Sequence, residues 1–171
     1  MRKILLCCAA VAALAGCGSG EKKAGEQSPE EVAKEMAALN MRPGQWQATN
    51  EILSANAPGL PAEALREIVG QKSMVSNCVT PEQAAKPSAN FLAGQKDSNC
   101  TYQDFSMDDG RMTGTMSCSV AGTPGKTVMK MEGKYSPVAY DMNMDMDVEI
   151  PGGAKMKVKA RTTGRRTGDC T

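Results

Sequence analysis

The sequence predicts a mainly β domain of the α+β class: an antiparallel meander forming one sheet or a partly closed barrel or sandwich, with two or three short helices. Three observations support this class. From Cys100 onward, polar and apolar residues alternate, as expected for strands with one buried face. Folding the chain at its predicted turns brings opposite charges together. Four cysteines remain once the amino-terminal segment is set aside, which favours a disulfide-stapled fold in an oxidising compartment.

Residues 1–16 have the composition of a secretory signal peptide. Arg2 and Lys3 precede an apolar run from Ile4 to Leu14, which is about half of the roughly 20 residues that a membrane-spanning helix needs. The run ends in Leu14-Ala15-Gly16-Cys17, which resembles the lipobox of bacterial lipoproteins. We therefore expect cleavage before Cys17 and attachment of palmitate or related acyl chains to that residue.

Lipid on Cys17 predicts a protein of the bacterial cell envelope. Two or more acyl chains hold a protein durably on a membrane, whereas one gives only marginal binding. Gly18 follows the anchor, and by the sorting rule of enterobacterial lipoproteins the absence of Asp there favours the outer membrane, with the protein facing the periplasm. Residues 17–27 are polar and predict a lipidated flexible tether, and residues 28–171 predict a single β-rich domain.

Helix caps and periodicity predict the elements before Cys100. Ser28-Pro29-Glu30-Glu31 matches a capping box with Pro at the first helical position, so we expect a helix to about Leu39. Residues 45–53, which contain the only Trp, predict a first strand, and residues 61–69 a second helix. Thr80-Pro81-Glu82-Gln83 predicts a further helix start.

Turns predict the disulfide pairing. If Asp108-Asp109-Gly110 is a three-residue hairpin loop with Gly110 in the left-handed conformation, Cys100 lies opposite Cys118. A disulfide between these two residues leaves Cys78 to pair with Cys170.

Two later hairpins, with turns at residues 151–153 and 136–139, bring opposite charges together on one face. The predicted pairs are Glu149 with Lys155, Asp147 with Lys157, Asp145 with Lys159, Lys134 with Asp141 and Lys130 with Asp145. Met residues occupy the alternate positions of these strands, so the other face is expected to be Met-rich and buried.

Several segments of the mature chain together resemble the DUF3617 family of proteobacterial exported proteins, a domain of unknown function. The segments are Met41-Arg42-Pro43-Gly44-Gln45-Trp46, Cys78-Val79-Thr80-Pro81-Glu82-Gln83-Ala84, Cys100, Met116-Ser117-Cys118, Gly133-Lys134-Tyr135-Ser136-Pro137 with Tyr140, and Arg161 with Gly168-Asp169-Cys170. The resemblance implies a small, β-rich, disulfide-bonded envelope protein. It implies no catalytic residue.

The composition argues against several classes of function. The chain contains no His, which removes the commonest general base and the commonest metal ligand. Its formal net charge of +1 gives no bias towards nucleic acid. We therefore expect a protein that is not an enzyme, has no cofactor and does not bind nucleic acid.

Methionine is the residue type that leaves alternatives open. Thioethers fill irregular cores, which is the ordinary interpretation of a Met-rich strand, but they are also soft ligands suited to Cu(I). The leading hypothesis is a noncatalytic interaction or structural role with an unknown envelope protein as partner. The alternatives are carriage of an apolar ligand on the Met-rich sheet face and Cu(I) binding by the Met cluster. The cluster comprises Met142, Met144 and Met146, with Met129, Met131 and Met156 expected nearby.

Overall fold

A computed structural model of the chain describes residues 25–87, 98–120, 125–149 and 154–170. Within these ranges, eight antiparallel strands form one sheet in the order β1-β4-β5-β6-β7-β8-β2-β3. The strands are β1 (Glu26–Gln27), β2 (Gly44–Asn56), β3 (Lys72–Val79), β4 (Ser98–Asp108), β5 (Arg111–Val120), β6 (Thr127–Ser136), β7 (Ala139–Glu149) and β8 (Lys155–Gly168). The described helices are α1 (Pro29–Ala37), α2 (Ala62–Ile68) and α3 (Pro81–Ala85).

The predicted mainly β, disulfide-stapled class is confirmed, in the form of a single sheet. The predicted signal peptide, residues 1–16, and Cys17 lie outside the described residues, so both cleavage and lipid attachment stay predictions.

Both predicted capping boxes are confirmed. In α1, the Ser28 hydroxyl accepts a hydrogen bond from the Glu31 amide at 3.2 Å, and the Glu31 carboxylate accepts one from the Ser28 amide at 2.6 Å. Thr80 and Gln83 exchange the same two bonds at the start of α3. Each pair satisfies amides that the first helical turn leaves without a partner, which stabilises a helix start by about 1 kcal/mol.

The β4–β5 hairpin has a shorter turn than predicted. Asp108 pairs with Arg111, so the loop consists of Asp109 and Gly110 only, and the predicted three-residue loop is wrong. Both loop residues have positive φ, 45° and 71°, as a two-residue type I′ turn requires.

A bulge in β4 nevertheless restores the predicted pairing of the cysteines. The register shifts between Gln103 and Ser106, where Asp104 has a φ of 49°. The extra residue in β4 offsets the shorter turn by one position, so Cys100 lies opposite Cys118. The disulfide register was therefore predicted correctly from an incorrect turn.

The end of the predicted tether belongs to the sheet. β1 pairs with β4, and the Gly25 carbonyl accepts a hydrogen bond from the Asp104 amide at 2.9 Å. The Gln27 side chain donates to the Phe105 carbonyl at 2.9 Å and accepts from the Phe105 amide at 2.6 Å. Gln27 thus satisfies backbone groups that the bulge takes out of the ladder. The flexible-coil prediction is wrong for Glu26–Gln27, whereas residues 17–24 lie outside the described residues.

The two disulfides join different parts of the sheet. Cys100 and Cys118 lie opposite each other on β4 and β5, with Cα atoms 4.1 Å apart. Cys78 on β3 bonds to Cys170, which follows β8, with Cα atoms 5.6 Å apart. Because β2 lies between β3 and β8, this second bond ties together the three strands at one edge of the sheet.

Helix α1 covers part of one face of the sheet. Val32 and Met36 of α1 are fully buried, and Leu39 beyond the helix end is nearly so. They pack with Tyr102 and Phe105 of β4 and with methionines of β5, β6 and β7. The opposite face carries the charged residues of β6, β7 and β8, so the sheet has one apolar and one solvated side.

We predict that the Cys78–Cys170 disulfide contributes more to stability than Cys100–Cys118. The paired residues are 92 and 18 positions apart, and the chain-entropy model gives about 4.5 and about 3 kcal/mol for loops of these lengths. Replacing each pair by Ala and measuring urea unfolding should give a larger loss for Cys78→Ala/Cys170→Ala. Equal losses, or a larger loss at the other pair, would contradict the prediction.

Candidate functional site

Methionines from three neighbouring strands meet on the apolar face of the sheet. Opposed residues of adjacent strands project to the same face. The rungs on this face include Met116 with Met129, Met129 with Met146, and Met131 with Met144. Met142 lies one rung further along and faces Gly133. The side-chain alternation predicted for β7 is therefore confirmed, and it places thioethers side by side on successive rungs.

Two glycines make room for the larger side chains of this face. A Cβ on Gly114 would lie 2.8 Å from the Phe105 ring, and one on Gly133 would lie 2.6 Å from the Met142 sulfur. Such distances are well inside van der Waals contact. Each glycine therefore allows a bulky neighbour to lie across its strand.

A cavity of about 560 Å³ lies on this face. This volume falls within the range of about 300–1,000 Å³ that is typical of small-molecule sites. We call this space the methionine cavity. The lining residues are Met36, Leu39, Met41, Ala48, Asn50, Val75, Met112, Met129, Met131, Tyr140, Met142, Met144 and Thr162. None of these lining residues carries a charged side chain.

The polar side chains of the lining come from three consecutive strands of the sheet. The Thr162 hydroxyl donates a hydrogen bond to the Asn50 side-chain carbonyl at 2.6 Å. Tyr140 lies on the neighbouring strand β7, and burial raises the pKa of its hydroxyl above the ordinary value. The hydroxyl is therefore protonated at neutral pH. The polar part of the cavity thus consists of neutral groups.

The position of Tyr140 is set by Gly164 and Trp46. The Tyr140 ring lies directly over Gly164, where a Cβ would overlap it. The ring also stacks on Trp46, with centroids 6.2 Å apart and planes 16° apart. Trp46 is only 4% exposed, and its indole N–H donates to the Arg42 carbonyl at 3.0 Å. The only Trp of the chain is therefore held against a wall of the cavity.

The sequence located part of this site. Four methionines of the predicted cluster line the cavity: Met129, Met131, Met142 and Met144. Met146 instead lines a separate groove with charged residues of the opposite face, and Met156 faces Val148 further along the sheet. Asn50, Val75 and the residues contributed by α1 were missed. The apolar spacing of Val32, Met36 and Leu39 was the available signal for a helix face that packs on the sheet.

The predicted charge pairs are confirmed in register. Asp145 pairs with Lys130 on one side and Lys159 on the other. Lys157 forms an ion pair with Asp147 and Lys159 with Asp145, each at 3.1 Å. All of these side chains are largely exposed, so each pair contributes less than about 1 kcal/mol.

Arg161 and Asp141 form the best-oriented pair of this face. The guanidinium donates two hydrogen bonds to the carboxylate, at 2.8 and 2.5 Å. These hydrogen bonds are the largest cause of a lowered pKa of Asp141. Partial loss of hydration opposes them and is the next largest effect, and the charges of Arg161 and Lys134 lower the pKa further.

Two kinds of site were not found in the part of the chain that the structure describes. No cluster of three or more His, Cys, Asp or Glu side chains there is arranged to hold a metal ion. None of the described helices is long and apolar enough to cross a membrane.

The fold and the site define a small, disulfide-stapled sheet protein with an apolar cavity on one face. The chain belongs to the DUF3617 family, described as a protein of unknown function, whose model matches residues 41–170. No curated protein and no solved structure matches the chain. The matched range contains both disulfides and the whole cavity lining except Met36 and Leu39.

Some of the segments that carry the family resemblance meet at one end of the sheet. The Arg42 amide donates to the Pro137 carbonyl at 2.8 Å, which joins the start of β2 to the β6–β7 turn. The Arg166 guanidinium donates to the Pro43 carbonyl at 2.7 Å. This bond joins the segment before β2 to the end of β8. These bonds hold the segment that places Met41 in the cavity lining and Trp46 against Tyr140.

We predict that the contribution of Arg161 to stability depends on pH. The pKa of Asp141 is lower in the folded than in the unfolded chain, so the pair stabilises the fold at neutral pH and loses this effect as pH falls through the folded-state pKa. Arg161→Gln should lower the free energy of unfolding slightly at neutral pH and by nothing measurable at about pH 2, where Asp141 is protonated. Urea unfolding at both pH values tests this.

Arg165→Gln is the matched control for that measurement, because Arg165 lies on the same strand and has no ion pair within the described residues. A loss for Arg161→Gln that is the same at both pH values would contradict the proposed electrostatic origin.

Proposed function

We propose that this protein is a noncatalytic, lipid-anchored protein of the bacterial envelope that binds an apolar molecule in the methionine cavity. The observation that carries the proposal is the cavity itself, about 560 Å³ in volume and lined mainly by thioethers and other apolar side chains. The proposal keeps the noncatalytic envelope role expected from the sequence. It adds that the Met-rich face carries a ligand in addition to packing the core.

Methionine suits a wall that has to adapt to an apolar guest. Its side chain is unbranched and its sulfur is polarisable, so it changes shape at small cost and contacts irregular apolar surfaces well. A face built only for packing would be filled by its own side chains to the density of a protein interior. Here the same face retains a space large enough for a small molecule beside α1.

The edge of the sheet provides a route into the cavity. Val75, which lines the cavity from β3, is 53% exposed, whereas Met131 and Met142 of the inner strands are each 7% exposed. β3 is the last strand of the sheet, and Val79 is its only buried residue. An apolar molecule can therefore reach the thioethers past Val75 without passing through α1.

The amino-terminal sequence supports the envelope part of the proposal. The predicted lipid attachment site, Cys17, lies a short distance in sequence before Gly25, where the described structure begins. Attachment there would keep a binding domain close to a membrane, which is a source of apolar molecules.

We predict that filling the cavity weakens ligand binding. Ala48 lines the cavity from β2, so Ala48→Phe should occupy the space next to Tyr140 and reduce the affinity for a fluorescent apolar probe such as N-phenylnaphthylamine by about ten-fold or more. Binding is followed both by the probe and by the emission of Trp46, which stacks on Tyr140. The full chain with Cys17→Ser avoids acylation and the need for detergent.

Thr49→Phe is the matched control, because Thr49 is the next residue of β2 and contributes to the opposite face. It adds the same ring to the same strand and should leave probe binding unchanged. Equal losses for Thr49→Phe and Ala48→Phe, or no probe binding by the unmodified cavity, would contradict the proposal.

Cu(I) is the competing occupant, since the register brings the thioethers of Met131 and Met144 side by side. Exchange of Met142, Met144 and Met146 for Leu distinguishes the apolar-ligand hypothesis from the Cu(I) hypothesis. It removes three soft ligands but keeps the wall apolar. Binding of the apolar probe should be retained in this variant. If the unsubstituted protein retains Cu(I) and the variant does not, the Cu(I) hypothesis is favoured.

We predict that Cys17 of the mature protein carries acyl chains. Mass spectrometry of the amino-terminal peptide from membranes of an expressing bacterium should show a modified Cys17 as the first residue. Cys17→Ser should abolish the modification. An amino terminus at any other residue, or an unmodified Cys17, would contradict the anchoring.

A further inference from the structure

The polar groups of the methionine cavity define the chemistry of its ligand. We propose that the cavity selects an uncharged amphiphile whose polar end presents an acceptor oxygen, such as the carbonyl of an acyl ester, to Asn50 and Tyr140. The inference rests on the proposed apolar binding function. It names the ligand class within that function.

The Asn50–Thr162 hydrogen bond leaves donors available for a ligand. Thr162 donates to the Asn50 carbonyl oxygen at 2.6 Å, so this bond holds the amide plane. The Asn50 amide nitrogen has no hydrogen-bond partner among the described residues, and it carries two N–H donors. Asn50 is partly buried and lines the cavity, so an acceptor oxygen from a ligand in the cavity can accept a hydrogen bond from this amide.

The Tyr140 hydroxyl supplies a second donor on the same face of the sheet. In the β7–β8 ladder Tyr140 faces Gly164, and its ring and hydroxyl lie over that residue. Thr162 is two residues before Gly164 on β8 and therefore projects to the same face, roughly 6.6 Å along the strand. Since burial keeps the phenol protonated at neutral pH, its hydroxyl can donate to the same polar group as the Asn50 amide.

The lining discriminates against charged headgroups. No Lys or Arg is among the lining residues, so a carboxylate or phosphate would lose its hydration without gaining an opposite charge. No Asp or Glu lines the cavity either, which makes a cationic headgroup equally unfavourable. A neutral carbonyl or ether oxygen loses less on leaving water and finds two donors.

The polar and apolar parts of the lining lie on different sides of the cavity. Asn50 and Thr162 belong to β2 and β8, towards the exposed edge strand, whereas the thioethers other than Met41 come from α1 and from β5, β6 and β7. Val75 at the sheet edge is the most exposed member of the lining on the polar side. A ligand would therefore lie with its apolar chain among the methionines and its polar end nearer the edge.

The test compares three ligands built on a chain of 12 carbon atoms: methyl laurate, laurate and dodecane. Each is titrated against the apolar probe bound to the full chain with Cys17→Ser, at about pH 8, where laurate is ionised. We expect methyl laurate to bind about ten-fold or more tightly than laurate, and about five-fold more tightly than dodecane.

Asn50→Leu identifies the group responsible. This variant should bind dodecane at least as well as the unsubstituted cavity does, while its preference for methyl laurate over dodecane disappears. Retained dodecane binding shows that the variant is folded. Thr49→Val, on the opposite face of β2, should keep the preference. A preference for the ester that persists in Asn50→Leu would overturn the assignment.

Thr162 acts as a positioning residue, and its test uses the same preference. Thr162→Val removes the hydrogen bond that orients Asn50 and should reduce the ester preference without reducing dodecane binding, whereas Thr162→Ser should restore it. A loss of both the ester preference and dodecane binding in Thr162→Val, with neither restored in Thr162→Ser, would overturn this role.

The outcomes separate the inference from the function on which it rests. Equal affinities for the three ligands, or tightest binding of laurate, would overturn the neutral-acceptor class and leave apolar binding in place. If the probe itself does not bind, so that none of the three ligands can displace it, the proposed function itself is overturned.

Discussion

The antiparallel register of β6, β7 and β8 is the constraint on which the rest of the structure depends. Side chains alternate between faces at every residue, so a shift by one position would move the methionines to the solvated face and the charges into the core. Asp145 faces Lys130 and Lys159 in the observed register, and Met144 faces Met131. The charged pairs contribute little stability individually, but a shifted register would replace all of them with mismatched neighbours.

Contacts between sequence neighbours could be predicted, and contacts between distant segments could not. The hairpins of β6, β7 and β8 were predicted because each strand pairs with the next along the chain, and the charges mark the rungs. The docking of β2 on β8 joins residues more than a hundred positions apart, such as Asn50 and Thr162, and no local pattern marks that pairing. β3 carries few buried residues, so it gave no alternation signal. For this reason the methionine half of the cavity was predicted and the polar half was missed.

The cavity follows from a large apolar face and a small cover. Aromatic residues make up 4% of the chain, so methionines with glycine partners supply much of the apolar surface. Helix α1 spans only Pro29–Ala37, or roughly 13 Å at 1.5 Å per residue, and it packs towards β4. A helix of this length cannot cover a sheet of eight strands spaced about 4.8 Å apart. Helix α1 therefore leaves the part of the face towards β8 and β2 uncovered, which is where the described residues form the cavity.

The Cys78–Cys170 disulfide connects this cavity to the stability of the fold. β3 lies at the edge of the sheet and buries almost no side chain, so its position depends on the backbone ladder with β2 and on this bond. β3 contributes Val75 to the cavity rim, and the neighbouring β2 contributes Ala48 and Asn50. The disulfide joins β3 to the residue that follows β8, and these two strands are the neighbours of β2. It therefore limits the movement of Val75, Ala48 and Asn50 relative to Thr162 on β8. The same bond can therefore stabilise an exposed edge strand and preserve the arrangement of neutral donors at the cavity rim.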